Sequence, residues 1–338
     1  MAAQKNLDDQ LETAAELLSE GKLDEARAIL EAALVTDPEE PAIHVLLAQV
    51  GATTGDFEAA QEGYEKALAL DPEYFEALYG LAQLVAAEGV LDEAERIAGK
   101  AMDAAEEEDE FVDAILLRTE ILLGLDDDEA AVETLESLPD GIDLPDPEQH
   151  LRAGGCFYEL EDFENATAHY AAAAKLLPED ADAHHGVGLC ADAVGDLPAR
   201  DAAWARVRKI DLAQEAPPWS ITTDALEKEV DTVIGELPER MKALLANVPV
   251  VVDDYPSETL VKDGVDPRLL GLFDGTPFPE QGMGAAPSLQ QIFLFRRNIE
   301  RDAHHAEEVR QEIRVTLLHE AGHFFGLDED DLAALNLD

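Results

Sequence analysis

The sequence predicts an α-solenoid of helical hairpins followed by a small domain that mixes helices and strands. Three observations support this prediction. Small and apolar residues recur with a period of about 34 residues over roughly the first two hundred positions. The helical pattern then stops at Pro217-Pro218-Trp219, and short β-branched runs follow. A His-Glu-x-x-His sequence near the C-terminus lies on a helical pattern of its own.

The repeat is clearest in the first three units. The positions that recur one period later are Gly21, Ala26, Leu30, Ala33 and Pro38, which return as Gly55, Ala60, Tyr64, Ala67 and Pro72, and Gly89 and Ala94 continue the series. Small residues suit the points where paired helices approach, and glycine suits the turn between them. The period and the residue types resemble the tetratricopeptide repeat (TPR), and this resemblance implies about six hairpins over residues 1–212.

The later repeats are less regular. The fourth, roughly Glu107 to Leu138, has slipped out of register and keeps only the helical pattern. The sixth, from Ala181 to about Leu212, carries Arg200 where alanine is expected, which favours a capping repeat. Stacked hairpins leave a concave groove, so we expect a protein or peptide to bind there as substrate or partner.

The segment 213–221 is the predicted linker, and residues 222–338 are the predicted second domain. Asp224 to Leu245 has the pattern of an amphipathic helix with a bend at Pro238. Val248 to Val252 predicts a buried strand, and Asp263 to Gly284, rich in glycine and proline, predicts a long loop. Gln291 to Phe295 predicts a second strand, either an ordinary core strand or an edge strand that pairs with extended substrate.

The His-Glu-x-x-His sequence comprises His319, Glu320 and His323. Two histidines four residues apart lie on one face of a helix and can bind one metal ion, while Glu320, one step round, is suited to accept a proton from water. The apolar residues at helical spacing are Val309, Ile313, Leu317, Ala321 and Phe324. Asp302 is the candidate N-cap of this helix, and Gly326 is the residue that should end it.

A catalytic zinc site usually has three protein ligands, so a third donor is expected. Fifteen residues follow His323, too few for another long helix, and the donor is therefore local or upstream. Glu329, ten residues after His319, is the leading candidate if the chain reverses at Gly326. The neighbouring Asp328 and Asp330 are its competitors.

From about Ile221 to the end, the chain resembles the minimal zincin-like metallopeptidase family. The segments that carry the resemblance are Val248–Pro256, Leu269–Phe278, Ile292–Arg296 and His319–Glu329. The resemblance implies that His319 and His323 are metal ligands, that Glu320 is catalytic, and that an acid near Glu329 completes the site. The His-x-x-Gly-x-x-acid spacing is also similar to metzincins, although the chain has no room for their methionine turn.

The charge of the chain restricts its partners. It has 76 Asp and Glu residues against 23 Lys and Arg, a formal net charge of -53. Nucleic acid is excluded as an expected partner, because phosphate binding needs clustered basic residues. The acidity favours either a basic protein partner or adaptation to a salty cell interior.

No apolar run approaches the length of a membrane span, and the N-terminus lacks the apolar core of a signal peptide, so a cytoplasmic location is expected. The two cysteines, Cys156 and Cys190, lie in repeat helices and favour free core residues over a disulfide.

These observations predict a zinc-dependent peptidase in which His319, His323 and Glu329 hold Zn2+, Glu320 acts as general base, and the TPR groove recruits the protein substrate. The alternative is a TPR scaffold whose metal site is structural or vestigial. A deformylase also carries His-Glu-x-x-His but takes a cysteine as third ligand, and both cysteines here belong to the repeats. Tyr255, Arg296 and Arg297 are unranked candidates for stabilising an oxyanion.

Overall fold

The structure is a computed structural model that describes residues 2–139, 144, 146–278, 290–301, 303–328, 331–332 and 335, with side chains from residue 7 onward. The chain forms two compact units, residues 1–178 and 179–338. The predicted architecture, helical hairpins followed by a small domain that mixes helices and strands, is confirmed.

The described residues of the first unit form five helical hairpins. Their helices are α1 Ala2–Ser19, α2 Leu23–Thr36, α3 Pro41–Thr54, α4 Phe57–Leu70, α5 Phe75–Ala87, α6 Leu91–Ala104, α7 Glu108–Gly124, α8 Asp128–Leu135, α9 Pro147–Glu159 and α10 Phe163–Leu176. Gly21, Gly55 and Gly89 have φ values of 72°, 76° and 78° at the turns within the first three hairpins. Glycine adopts this left-handed conformation without steric cost, which explains its repeated use there. The predicted slip of the fourth repeat is visible in the pairing of a long α7 with a short α8.

A pair of histidines is buried inside the fifth hairpin. Nδ1 of His150 lies 3.0 Å from Nδ1 of His169, and Phe157 stacks on the His169 ring with centroids 5.4 Å apart. The two side chains belong to residues that are 1% and 8% exposed. Burial, with a smaller contribution from the neighbouring imidazole, lowers the pKa of His169 to about 4, so the ring is neutral at pH 7.

The sixth hairpin belongs to the second compact unit. It consists of α11 (Ala181–Ala193) and α12 (Leu197–Asp211). Nε2 of His185 lies 2.9 Å from Oδ2 of Asp266, and the Tyr255 hydroxyl donates a hydrogen bond of 2.9 Å to the backbone oxygen of Asp211. These contacts join the hairpin to the segment that connects the first two strands of the second unit. The boundaries at residues 212 and 221 stay a prediction.

Arg200 is ion-paired and stacked on an aromatic ring in the sixth hairpin. Its guanidinium bonds to Asp192 at 2.9 Å and to Asp201 at 2.8 Å, and it lies 5.2 Å from the centre of the Trp204 ring. Its place in the last hairpin, where alanine occurs in earlier repeats, is therefore filled by an ion-paired and stacked arginine.

The rest of the second unit contains five helices and three strands within the described residues. They are α13 Thr223–Glu236, α14 Glu239–Leu245, β1 Val250–Asp253, α15 Glu258–Lys262, β2 Gly271–Asp274, β3 Gln291–Phe295, α16 Arg296–Ile299 and α17 Ala306–Phe325. The helix expected over 224–245 with a bend at Pro238 is divided at that position into α13 and α14. The bend is a full break because Leu237 has a ψ of 155°, the extended conformation that the following Pro238 favours.

The sheet has the strand order β1-β3-β2, with β1 parallel and β2 antiparallel to β3. The predicted strand Gln291–Phe295 is therefore the central strand, which agrees with the core-strand alternative and contradicts the edge-strand one. The strand β2 lies beside the metal helix instead, within a segment expected to be loop. It was not predicted because it has only four residues and lies among glycine and proline, so it carries no alternating pattern.

Helix α17 spans the His-Glu-x-x-His sequence. All five residues of its predicted apolar stripe are buried and join the core formed with α13 and the sheet. Asp302, the predicted N-cap, lies outside the described residues; the helix begins at Ala306, where Nδ1 of His305 accepts a hydrogen bond from the Glu308 N–H. Both cysteines are buried and form no disulfide with each other, as predicted. Within the described residues, no helix is long and apolar enough to cross a membrane.

Candidate metal centre

The two predicted metal ligands converge. Nε2 of His319 and Nε2 of His323 are 3.0 Å apart, and their rings meet edge to face with centroids separated by 4.7 Å. A tetrahedral zinc ion with Zn–N bonds of about 2.0–2.1 Å holds two nitrogens about 3.3–3.4 Å apart. The observed separation needs only a small adjustment, so the histidine pair fits a shared metal ion.

The position of His323 is set by the end of helix α17. Gly326 adopts a left-handed conformation with φ of 86°, and its N–H bonds to His323 O, while Leu327 N bonds to Gly322 O, both at 3.0 Å. This is the reversal predicted at Gly326. It brings Leu327 O within 3.3 Å of His323 Nδ1. A carbonyl oxygen accepts only, so this contact favours a proton on Nδ1 and leaves Nε2 suited to a metal.

Glu320 is held differently from the histidines. The residue is 6% exposed, and its Oε2 accepts a hydrogen bond of 2.6 Å from the backbone N–H of Phe273 in β2. A backbone donor stabilises the carboxylate form and fixes its direction. The edge strand therefore contributes directly to the position of the predicted general base.

Gly271 of β2 lies against the same side chain. A Cβ atom at this position would lie 2.8 Å from Glu320 Cγ, 3.0 Å from Glu320 Oε1 and 2.7 Å from Thr316 Cγ2. Contacts this short do not occur without movement, so the absence of a side chain is what lets β2 approach α17. Sequence reasoning missed both Gly271 and Phe273; the one signal was a glycine inside a short apolar run.

The predicted third ligand, Glu329, and its competitor Asp330 lie outside the described residues. Asp328 Oδ1 accepts a hydrogen bond of 2.9 Å from Asp331 N, so its carboxylate caps the turn that follows. Among the residues that are described, no third His, Cys, Asp or Glu joins the histidine pair. The assignment of Glu329 stays a prediction.

The three oxyanion candidates have other partners. The Tyr255 hydroxyl bonds to Asp211 O, Arg296 pairs with Asp254 at 2.6 Å, and Arg297 pairs with Glu300 at 3.3 Å. Burial is the largest influence on the Tyr255 phenol and raises its pKa, which keeps it protonated. These side chains stabilise the second unit through ion pairs and hydrogen bonds.

A helix bearing two convergent histidines and a buried glutamate, beside an edge strand, is the arrangement that the resemblance to zincins implies. Comparison with protein families agrees with this class. Residues 245–338 match the family described as zincin-like metallopeptidase, and residues 17–63 and 51–111 match the tetratricopeptide repeat. Both resemblances predicted from the sequence are confirmed.

Individual relatives each cover part of the chain. Cellulose synthase operon protein C of Xanthomonas axonopodis pv. citri is 42% identical over 85 residues, which is 25% of this chain and only 6% of that protein. Among solved structures, PilF of Pseudomonas aeruginosa has a TM-score of 0.53 at 19% identity, covering 63% of this chain and 96% of its own. PilW, a type IV pilus biogenesis factor, has a TM-score of 0.51 at 17% identity, covering 62% of this chain and 95% of its own. At these identities the two structures show the repeat fold alone.

Proposed function

We propose that the chain is a zinc-dependent peptidase whose TPR repeats recruit a protein substrate or a partner that brings it. The observation that carries the proposal is the convergence of His319 and His323 beside a buried Glu320 whose direction is fixed by Phe273 N–H. Imidazole ligands with a carboxylate favour zinc over a metal that prefers oxygen ligands. The zincin-like family match supports the same class of activity.

In this proposal His319, His323 and Glu329 hold the metal. Zinc, when bound, supplies Lewis acidity, which acidifies water and polarises a peptide carbonyl. Glu320 takes a proton from the attacking water and delivers it to the nitrogen of the leaving amine. Because Phe273 N–H holds Oε2, the carboxylate keeps one direction through both transfers, so no reorientation of the base is needed.

The edge strand β2 is the proposed support for substrate. Phe295 N donates to Leu270 O at 2.8 Å, and pairs along an antiparallel ladder alternate in bonding. Gly271 and Phe273 therefore direct their backbone groups away from β3, toward the edge of the described sheet. Phe273 N–H is already bonded to Glu320 Oε2, so an extended peptide would pair at this edge through the backbone groups of Gly271, which places its main chain beside Glu320.

The first test separates metal ligands from base. His319→Ala and His323→Ala should each abolish stoichiometric zinc in metal analysis of the purified protein, while circular dichroism shows the helices unchanged. Glu320→Gln keeps the shape but removes the basic oxygen, so zinc should stay and digestion of a peptide library should fall at least about 10²-fold. Full zinc occupancy in both histidine variants would place the metal elsewhere. Bound zinc without cleavage by the unaltered protein would instead favour the scaffold alternative.

The second test concerns the third ligand. Glu329→Ala should weaken zinc binding strongly, whereas Asp330→Ala and Asp331→Ala should change it little. Asp328→Ala is the deciding control, because its carboxylate caps the following turn and its loss should lower stability more than zinc affinity. A larger zinc loss in Asp328→Ala than in Glu329→Ala would show that the ligand lies one residue earlier.

A further inference from the structure

Two cavities adjoin the candidate metal centre along helix α17. The first, of about 190 Å³, reaches from His319 and Glu320 to Glu312 and is closed on the strand side by Leu269 to Gly271. The second, of about 300 Å³, continues toward the start of the helix. Glu312 and Leu270 line both, so the two cavities meet at these residues.

Glu312 differs from the other acids of helix α17. Glu307 pairs with Arg310 at 2.7 Å, Glu308 lies 3.3 Å from the His305 ring, and Glu320 binds Phe273 N–H. Among the described residues, the Glu312 carboxylate has one long contact of 3.4 Å, from the Thr316 hydroxyl, and it forms no ion pair with any Lys or Arg. The positions of the second unit that are not described contain no Lys or Arg in the sequence, so they supply no basic partner either.

The lining of the first cavity combines apolar side chains with the carboxylate of Glu312. Its sides are apolar, formed by Leu269, Leu270 and Val315, and the half-buried Glu312 carboxylate stands where it meets the second cavity. A lysine or arginine side chain has the matching form, an apolar stem with a charged end. A carboxylate without an ion-pair partner beside apolar walls attracts such a cation more strongly than a fully solvated carboxylate does, because solvent screening is weaker there.

The spacing matches an extended peptide on the edge of β2. Glu312 precedes His319 by seven residues, about 10 Å along a helix. An extended chain rises about 3.3 Å per residue, so 10 Å corresponds to about three residues, and a long basic side chain shortens that to two. A basic residue two or three positions from the scissile bond would therefore reach Glu312.

We propose that this cavity is a substrate subsite for a lysine or arginine side chain, with Glu312 as the residue that selects it. The inference rests on the proposed peptidase function and gives it a substrate class: extended peptides with a basic residue at one fixed position near the scissile bond. General attraction by a net charge of -53 would favour basic peptides without any preference for position. The fixed position is therefore the distinguishing property.

The experiment uses the full-length zinc protein and an alanine-rich eight-residue host peptide. One Lys is moved through all positions, and peptides with Glu or Met in its place serve as references. We expect one Lys position to raise kcat/KM roughly tenfold over Met. Glu312→Gln should remove this advantage and leave the Met peptide unchanged, and Glu312→Lys should transfer it to the Glu peptide.

Glu307→Gln is the matched control. It removes the same charge from the same helix, but Glu307 is exposed and lines neither cavity. Its retention of the Lys preference would exclude a general charge effect. Equal loss in Glu307→Gln and Glu312→Gln would overturn the subsite, as would a Lys advantage at every position.

A binding measurement distinguishes failure of the subsite from failure of the peptidase. Fluorescein-labelled host peptides are titrated into metal-free Glu320→Gln protein, with and without Glu312→Gln. Position-dependent Lys binding that needs Glu312, without turnover in the native protein, would retain the subsite and reject the peptidase. Turnover without a preferred Lys position would retain the peptidase and reject the subsite. The absence of both turnover and position-dependent binding would reject both proposals.

Discussion

At the scale of single residues, Gly271 shows how a residue without a functional side chain can position the proposed general base. It has no side chain of its own, and a Cβ atom there would overlap Glu320 Cγ and Thr316 Cγ2. The same strand supplies the Phe273 N–H that holds Glu320 Oε2. Strand β2 therefore fixes the base from two directions, by a hydrogen bond and by a close backbone approach.

We expect Gly271→Ala to separate metal binding from catalysis. The added methyl must push β2 away from α17 or rotate Glu320, while both histidines keep their positions, so zinc content should be unchanged and kcat should fall by about tenfold or more. Parallel metal analysis and peptide digestion measure the two effects. Gly235→Ala is the control, since a Cβ there meets nothing within 4 Å and should leave both unchanged. Normal turnover by Gly271→Ala would show that the close approach does not position Glu320.

At the scale of elements, the sequence predicted those whose pattern is long and periodic. The helical hairpins, helix α17 with its end at Gly326, and the strand Gln291–Phe295 all appear as expected. The strand β2 was missed because four residues cannot show alternation, and its Gly271 is a typical loop signal. Single-sequence patterns identify the face of an element, but its partner across the sheet depends on contacts that only the folded chain forms.

His185 illustrates a second limit. Two adjacent histidines in a repeat helix indicate surface or turn residues, and no local pattern links them to a segment 81 positions away. In the structure His185 bonds to Asp266. The contact lowers the pKa of Asp266: burial, the largest single influence, raises it, but the hydrogen bond and charge of His185 together with Arg268 outweigh burial.

The buried histidine pair between α9 and α10 gives an element-scale prediction. His169 has a pKa of about 4 in the fold against 6.5 for an ordinary imidazole, so the unfolded chain takes up a proton first as pH falls. The free energy of unfolding should therefore decrease from about pH 6.5 downward, by up to about 3 kcal/mol near pH 4.

His169→Phe should remove that part of the pH dependence, because phenylalanine keeps the stack on Phe157 and does not titrate. Urea unfolding of the full-length protein at pH 7.0, 5.5 and 4.5 measures the slope, and the difference from the native chain reports the loss of His169 together with its effect on the neighbouring His150. The control is His44→Gln, whose native imidazole contacts Pro38 O near the surface. A native-like slope in His169→Phe would show that the buried ring does not govern acid sensitivity.

At the scale of the whole molecule, the dominant property is charge. Acidic side chains outnumber basic ones by 76 to 23, so ion pairs can neutralise only a minority of them. In most of the described pairs at least one partner is exposed to solvent, where screening weakens the attraction. Mutual repulsion of the remaining carboxylates therefore acts on the fold as a whole, and it is relieved by counterions.

Salt should consequently stabilise the full-length protein, and the shape of the response identifies the cause. The Debye length falls from about 10 Å at 0.1 M to about 3 Å at 1 M, so repulsion between surface carboxylates is mostly screened below about 0.5 M. We expect the Tm to rise steeply with KCl up to that concentration and slowly beyond it. A strengthened hydrophobic effect would instead give a steady rise with no early steep part.

Thermal unfolding followed by circular dichroism between 0.05 and 2 M KCl measures the curve, and sucrose, which is excluded from protein surfaces but carries no charge, is the control. A Tm that stays constant or falls over the first 0.5 M would show that the carboxylates are neutralised within the fold, and the acidity would then favour a basic partner over adaptation to salt.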